Sequence, residues 1–379
     1  MFGSAAAIDN EGSLLVIGSS VPFSNGQSQA FFFKYVSSLP DSPLGQRACM
    51  KTFGNGEPLD TFGYSITTDV SDNIYITGAT QTFGGENYNV FLQEYTSSCN
   101  LIRTLQWGGE GNDIPHGITT DTVGNVYVVG STSSFGNGVT QIFLLKYDTE
   151  GELQFSQTWG TSNSFGNGVA VDNLGNIYVV GTATNLGGGS QIILLKYDSS
   201  GNLLSQRMVG DGPQNNYGTG VAVDSGGSVY VTGYTYGLGP TPGISAVILL
   251  KYDPAGNLVF QSIWGGKQND AATSIAVDID GNVYLAGYTK SYSVNPGIPS
   301  AFLLKFDPFG NLILQRVWGG NKGDFGYGVA VDTTENAYVT GYTFSFGPNT
   351  QGANFFILKY DTAGNLQWTK LYGGGIPDP

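Results

Sequence analysis

Gly168-Val169-Ala170-Val171-Asp172-Asn173-Leu174-Gly175-Asn176-Ile177-Tyr178-Val179-Val180-Gly181 is two short apolar runs joined by an Asp-x-x-Gly-Asn turn. The turn is hairpin chemistry, because Gly and Asn adopt positive φ and the Asp carboxylate accepts backbone N–H groups. The same pattern, with substitutions, ends at Gly18, Gly78, Gly130, Gly233, Gly287 and Gly341, in steps of 60, 52, 51, 52, 54 and 54 residues. A second segment, Ile193-Leu194-Leu195-Lys196-Tyr197-Asp198 followed by Gly201-Asn202-Leu203, recurs in phase. Its Tyr197 is matched by Tyr35, Tyr95, Tyr147, Tyr252, Phe306 and Tyr360. Each unit then closes on one position, occupied in turn by Phe53, Trp107, Trp159, Val209, Trp264, Trp318 and Tyr372. Seven copies of one unit therefore organise the chain.

Within a unit four apolar stretches, such as Val169 to Val171, Ile177 to Val180, Ile192 to Tyr197 and Leu203 to Val209, are separated by Gly, Asn and Asp turns. Runs such as Ile177-Tyr178-Val179-Val180 are apolar on consecutive residues, so both faces of each small sheet must be covered, as when like sheets stack. An open solenoid of such units is the alternative, but four-stranded sheets of this length normally close into rings. The expected fold is all-β: a seven-bladed β-propeller with four antiparallel strands per blade. It forms a single domain over residues 1–379, with blades at about 1–54, 55–108, 109–160, 161–210, 211–265, 266–319 and 320–379. Phe2-Gly3-Ser4-Ala5 aligns with Phe325-Gly326-Tyr327-Gly328, and Gly373-Gly374 falls in the equivalent loop. Each blade should thus supply its own four strands, with no strand exchange between the termini. A start inside a loop also points to an excised domain or a processed form.

Composition agrees. Charged residues are 12%, against roughly 25% in an average globular chain, while 58 Gly and 15 Pro imply many turns. The 22 Tyr and 22 Phe set against 3 Met suit pleated surfaces. A net charge of −14 with only 15 Lys and Arg excludes a phosphate-dependent nucleic-acid binder and disfavours anionic membranes. Cations, neutral polymers such as glycans, or proteins are the better partners. No apolar run approaches a membrane span, so no membrane insertion is expected, and the N-terminus lacks the regions of a secretory signal.

The pattern Val-Ala-Val-Asp-x-x-Gly-Asn-x-Tyr-Val-x-Gly-Tyr-Thr, then Leu-Leu-Lys-Tyr-Asp-x-x-Gly-Asn-Leu, then Trp-Gly-Gly resembles the SBBP (seven-bladed beta-propeller) repeat family, itself similar to NHL repeats. The resemblance covers essentially the whole chain and is clearest from Gly168 to Gly320. It implies a secreted or surface-attached microbial protein without shared catalytic residues. Departures fall in the first two units, where Ala5-Ala6-Ala7-Ile8-Asp9 opens the chain and Gln93-Glu94-Tyr95 replaces Leu-Lys-Tyr.

Alternating strand direction puts the first and third connections on one face of the disc and the second connection and inter-blade loop on the other. The Asp-to-Gly step across the first connection is nine residues in every unit. The step across the third is 12 in six units and 18 in the first, where Leu39 to Gly45 is inserted. The other two steps vary, from 16 to 19 and from 22 to 25, and variable loops on a rigid scaffold are where function usually sits. On that face lie five aspartates, Asp60, Asp113, Asp211, Asp270 and Asp324, near the mouth of the channel. Two readings stand for them: a carboxylate ring for Ca²⁺ or sugar hydroxyls, or Asx-turns in which each bonds its own loop. Five aromatic residues of the second connections, Phe83, Phe135, Tyr236, Tyr292 and Phe346, either offer stacking platforms or fold back over blade edges. No cofactor is expected beyond that candidate Ca²⁺. Asp278-Ile279-Asp280-Gly281-Asn282 resembles the start of a calcium loop but lacks its downstream Glu.

The third-strand lysines should end near the first-strand aspartates, giving ion pairs such as Lys196 with Asp172, Lys251 with Asp224 and Lys305 with Asp278. The repeated Trp-Gly reads as inter-blade packing. A single histidine, His116, and arginines confined to fourth strands leave no His, Cys, Ser or Arg constellation for catalysis. The expectation is therefore a protein that is not an enzyme: an extracellular or cell-surface binding or scaffold propeller engaging a glycan or protein through its variable face. The alternatives are a glycan-cleaving enzyme with a carboxylate pair at the channel mouth and a structural subunit of a surface layer or filament. Cys49 and Cys99 fall at the rim of adjacent blades. A bridge between them requires Cα atoms within about 7 Å, whereas sheets stack about 10 Å apart, so either a bridge or two free thiols is consistent with the sequence.

Overall fold

The computed structural model describes residues 2–20, 28–36, 46–53, 60–81, 87–135, 138–184, 188–210, 213–348 and 352–373. Within them are 28 strands in seven antiparallel sheets of four, each in sequence order, and no helix. In the fourth blade the strands are Ser164–Val171, Ile177–Thr184, Ser190–Tyr197 and Leu203–Val209. The first strand of every blade contacts the first strand of the next, and that of the last blade, Asp324–Val331, contacts Phe2–Ile8. The ring is closed about an axis encircled by first strands.

The Asp-x-x-Gly-Asn turn forms for the reasons legible in the sequence. Asp172 Oδ1 accepts from Leu174 N and Asn176 N at 2.9 and 2.8 Å, and its Oδ2 accepts from Asn176 Nδ2 and the Tyr178 hydroxyl at 2.7 and 3.1 Å. Gly175 takes φ +80° between them. The second-strand Tyr is thereby tied to its own turn, and its ring enters the core between blades.

That core is a series of seven inter-blade clusters. One packs Tyr127, Val129, Ile142 and Leu144 against Ile177, Val179, Ile193 and Leu195. The closing cluster brings Leu14, Val16, Phe31 and Phe33 onto Tyr338, Phe355 and Ile357. The terminal tryptophans pack between blades as expected, with Trp107 at 4.7 Å from Phe143, Trp264 at 5.0 Å from Phe302 and Trp318 at 4.7 Å from Phe356. Phe2–Ile8 pairs with Leu14–Ser20 and Leu366–Tyr372 pairs with Asn354–Tyr360, so the termini exchange no strand.

Between the first and second strands of every blade the register shifts at a bulge. The extra residues are Ser4, Tyr64, His116, Asn167, Thr219, Thr273 and Tyr327. A bulge re-aims its side chain, and several of these reach sideways: Asn167 Nδ2 donates to Gly218 O at 2.7 Å, Thr219 Oγ1 to Ala272 O at 3.0 Å and Thr273 Oγ1 to Gly326 O at 3.0 Å. The bulges stitch neighbouring blades together around the axis.

The expected Lys–Asp ladder is corrected. Among the described residues it forms in two blades, with Lys34 at 2.9 Å from Asp9 and Lys305 at 3.6 Å from Asp278. Elsewhere the Asp carboxylate is held by its turn and the Tyr hydroxyl, partners that Asp278 has as well. The ammonium instead lies over that Tyr ring, Lys196 at 5.2 Å from the centre of Tyr178 and Lys251 at 4.9 Å from that of Tyr230. Lys251 Nζ also donates to Pro308 O of the next blade at 3.0 Å. In the second blade Glu94 takes the lysine's place and pairs with Arg103 at 2.7 Å.

Cys49 and Cys99 form a disulfide with Cα atoms 6.5 Å apart. It joins the fourth strand of the first blade, Gln46–Phe53, to the third connection of the second. Cys99 sits at the turn position where other units carry Gly, and its φ is +63°. No helix among the described residues is long and apolar enough to cross a membrane.

Candidate functional site

The predicted acidic ring separates into its parts. Asp113, Asp270 and Asp324 each begin a first strand and are fully buried. Asp324 Oδ2 accepts from Gly320 N and the Ser345 hydroxyl at 2.8 Å each, and Oδ1 accepts from the Thr343 hydroxyl. Asp270 accepts from Gly266 N at 3.0 Å and from the Thr289 hydroxyl at 2.5 Å. Asp113 accepts from Gly109 N and the Ser134 hydroxyl at 2.9 and 2.6 Å. These carboxylates staple the inter-blade loop to the second connection and face no solvent, which corrects their assignment as ligand-binding groups. The same seat is held by Thr61, Ser164 and Asn216 in other blades. Asp60 lies one residue ahead of it and accepts from Ser28 N at 2.6 Å, and Asp211 lies outside the described residues. Asp278 Oδ1 accepts from Asp280 N and Asn282 N at 3.1 and 2.8 Å, an ordinary turn. Among the described residues no three His, Cys, Asp or Glu side chains cluster as metal ligands.

The aromatic set behaves differently. Phe135, Tyr292 and Phe346 lie 5.0, 4.9 and 5.0 Å from the terminal tryptophan of the preceding blade, Trp107, Trp264 and Trp318. They fold back over the blade edge, yet remain 51%, 43% and 38% exposed. Phe83 lies outside the described residues. Tyr236 is corrected: five residues beyond Gly233 comes Leu238, which packs, as Val209 does, against the core between blades four and five. Tyr236 turns inward, 6.4 Å from Tyr217 and 6.1 Å from Tyr234.

That inward turn exposes a site the repeat had hidden. First strands begin and second strands end on the variable face, so residues paired there stand at the inner edge of the disc. Tyr217 pairs with Tyr234 and stacks on it at 4.8 Å, and Phe325 pairs with Tyr342 at 5.0 Å. Tyr288 bridges the blades at 5.3 Å from Phe325, and the bulge residue Tyr327 stacks on Tyr342 at 5.5 Å. Blades five, six and seven thus bring Tyr217, Tyr234, Tyr236, Tyr288, Tyr327 and Tyr342 into one half-buried cluster. Burial, and then the neighbouring phenols, hold the hydroxyls of Tyr234, Tyr288 and Tyr342 well above the usual tyrosine range. They remain neutral groups, able both to donate and to accept hydrogen bonds. The sequence signal is the Gly-Tyr-Thr of these three blades only. The others read Gly18-Ser19-Ser20, Gly78-Ala79-Thr80, Gly130-Ser131-Thr132 and Gly181-Thr182-Ala183.

Across the axis stands His116, its ring 5.6 Å from Tyr64. Burial pulls its pKa down from 6.5 to about 4. The unfolded chain takes up a proton near pH 6.5 that the folded state refuses until about pH 4. Stability is therefore full above pH 6.5 and lost as pH falls between those values. Allowing for partial exposure, the loss by pH 4.5 is about 2 kcal/mol. Urea unfolding of the parent and of His116→Gln at pH 7 and 4.5 should show a smaller decline in the variant; equal declines would refute the assignment.

Comparison with known proteins agrees with this architecture. Residues 102–137, 154–188, 207–240, 263–293 and 309–345 match the SBBP family model, described as a beta-propeller repeat. Each match opens in or beside the fourth strand of one blade and runs through the second strand of the next, so the sequence repeat is offset from the structural blade. An uncharacterized WD repeat-containing protein, L264 of Acanthamoeba polyphaga mimivirus, is 28% identical over 160 residues, 34% of this chain and 11% of that protein. A puromycin hydrolase S511A mutant crystallised in complex with PGG superposes with a TM-score of 0.61 at 13% identity, covering all of this chain and 54% of the hydrolase. A gluconolactonase from Xanthomonas campestris superposes with a TM-score of 0.44 at 11% identity, over 75% of this chain and 82% of that one. The chain thus spans about a tenth of the mimivirus protein and about half of the hydrolase. The hydrolase corrects the expectation that this protein is not an enzyme. A propeller of the same form occurs within an enzyme, so the lack of a repeated His, Cys, Ser or Arg constellation does not exclude catalysis. At 13% identity the likeness concerns the fold alone.

Proposed function

We propose that the chain, five segments of which match the SBBP beta-propeller repeat model, works as a binding propeller whose axial tyrosine cluster engages a glycan on the variable face. The observation that carries this reading is asymmetry: Tyr234, Tyr288 and Tyr342 stand where the other four blades carry Ser19, Ala79, Ser131 and Thr182, and they converge with Tyr217, Tyr236 and Tyr327. Aromatic faces with neutral hydroxyls suit sugar rings, which present C–H faces and hydroxyls together. A net charge of −14 favours neutral or cationic ligands over anionic ones. A secreted or cell-surface setting on a microbe fits the Cys49–Cys99 disulfide, since such bonds persist in oxidising compartments.

A glycan array probed with the whole chain, with and without added Ca²⁺, tests the reading. Retained glycans should bind Tyr288→Ala and Tyr342→Ala variants more than tenfold more weakly, while the thermal midpoint shifts little. Mass spectrometry of the eluted glycans reports any cleavage. Absence of retention, or retention unchanged in both variants, would overturn the proposal.

A further inference from the structure

At three junctions a Phe or Tyr of the second connection covers the terminal tryptophan of the preceding blade. The junction of blades three and four departs from this rule. Its tryptophan is Trp159, and five residues beyond Gly181, where Phe135, Tyr292 and Phe346 stand relative to their own glycines, the sequence has Leu186. Among the described residues no aromatic ring stacks on Trp159. A cavity of about 510 Å³ lies against it instead, lined by Gln141, Ser162, Thr184, Gln191, Gln206 and Met208 among others.

The lining is neutral throughout and rich in amides and hydroxyls. Two of its groups are fixed by the fold. The indole N–H of Trp159 donates to Gln206 Oε1 at 3.1 Å, and Gln141 Nε2 donates to Gly160 O at 2.6 Å. That second bond leaves Gln141 Oε1 buried and without a hydrogen-bond donor. Gln141, which lines the cavity, thus keeps an unused acceptor. The cavity falls within the usual range of small-ligand sites, roughly 300–1,000 Å³.

We infer that this junction is a second binding site, separate from the axial cluster, which takes one unit of a neutral saccharide, its ring face on the Trp159 indole and a hydroxyl donating to Gln141 Oε1. Three chemical facts select a sugar. Stacking asks for a flat, weakly polar face, as the internal Phe and Tyr rings supply elsewhere. The Gln141 oxygen asks for a donor, which a phenyl ring lacks. The absence of charge in the lining gives no partner to an acidic or basic group.

The test labels the whole chain with 5-fluorotryptophan, whose five resonances report separate tryptophans, and assigns Trp159 with a Trp159→Phe variant. Methyl hexopyranosides and neutral disaccharides are then titrated. The expected result is a saturable shift of the Trp159 resonance, with those of Trp107, Trp264, Trp318 and Trp368 unmoved. Gln141→Leu should weaken the response about fivefold or more. A Trp159 resonance that no saccharide shifts, one shifted only by N-acetyltyrosinamide, or one that responds equally in Gln141→Leu would overturn the inference. The Tyr288→Ala and Tyr342→Ala variants should leave the Trp159 response intact, so failure here and failure at the axial cluster are separable.

Discussion

Reduction of the Cys49–Cys99 bond is expected to destabilise the protein by roughly 4 kcal/mol, the loop-closure entropy of the 50-residue separation in the unfolded chain. The bond does more than shorten that chain. It ties the first blade to the second at the rim, in the one unit whose third connection carries a sequence insertion, from Leu39 to Gly45. It also anchors Cys99, which holds φ +63° where a turn would ordinarily recruit Gly. A Cys49→Ala, Cys99→Ala double variant should unfold at clearly lower urea concentration and with a steeper denaturant slope, because the unfolded chain without the crosslink exposes more surface. Because position 99 keeps its positive φ, a Cys49→Ala, Cys99→Gly variant should recover part of the loss. A double variant as stable as the parent would show that the bridge contributes nothing beyond packing.

Gly233→Ala should cost at least about 3 kcal/mol, the upper range for overpacking a filled interior, because the obstacle is backbone. The bulge at Thr219 pushes the Tyr217 carbonyl against the second strand, and a Cβ on Gly233 would stand 1.8 Å from that oxygen. No rotamer change relieves such a contact. The alanine is accommodated only by straightening the bulge, which would withdraw the Thr219 hydroxyl from Ala272 O and part the first strands of blades five and six. The same approach recurs at Gly78, Gly130, Gly181, Gly287 and Gly341, at 1.9 to 2.1 Å from the facing carbonyl. Gly226→Ala, in an exposed turn without a positive φ, where the nearest atom to the new Cβ is Asp224 Oδ1 at 3.3 Å, is the control for composition alone. Urea unfolding of Gly233→Ala and Gly226→Ala decides the matter, and equal stabilities would remove the bulge from the account of why this glycine recurs.

The bulge explains one limit of the sequence reading. Gly at the end of each second strand was visible as a repeat marker, but the carbonyl that requires it lies on a different strand and faces it only after the register shifts. The acidic set met a similar limit. Aspartates in Gly-Gly-x-x-x-Asp loops look exposed in a linear sequence, and strand pairing then places Asp324 opposite Thr343, where hydroxyl and backbone N–H groups enclose it. At Lys196 the ladder gives way to a cation–π contact, the ammonium lying 5.2 Å from the centre of the Tyr178 ring rather than against the Asp172 carboxylate. Tyr236 was assigned by its nearness to the strand end, and a two-residue difference moved it from the blade edge to the axis.

The sequence by itself determined the number of blades, the four strands in each, the turn chemistry and the closure without strand exchange. These follow from hairpins whose partners are neighbours along the chain, so a 50-residue window holds all the interactions that specify them. Only the tertiary structure decided which side chains share a site. Tyr217, Tyr288 and Tyr327 are separated by 71 and 39 residues and meet because the ring brings successive first strands around one axis. The Trp159 cavity and the disulfide likewise depend on how adjacent blades lean on each other, a property of packing between units that no single unit carries.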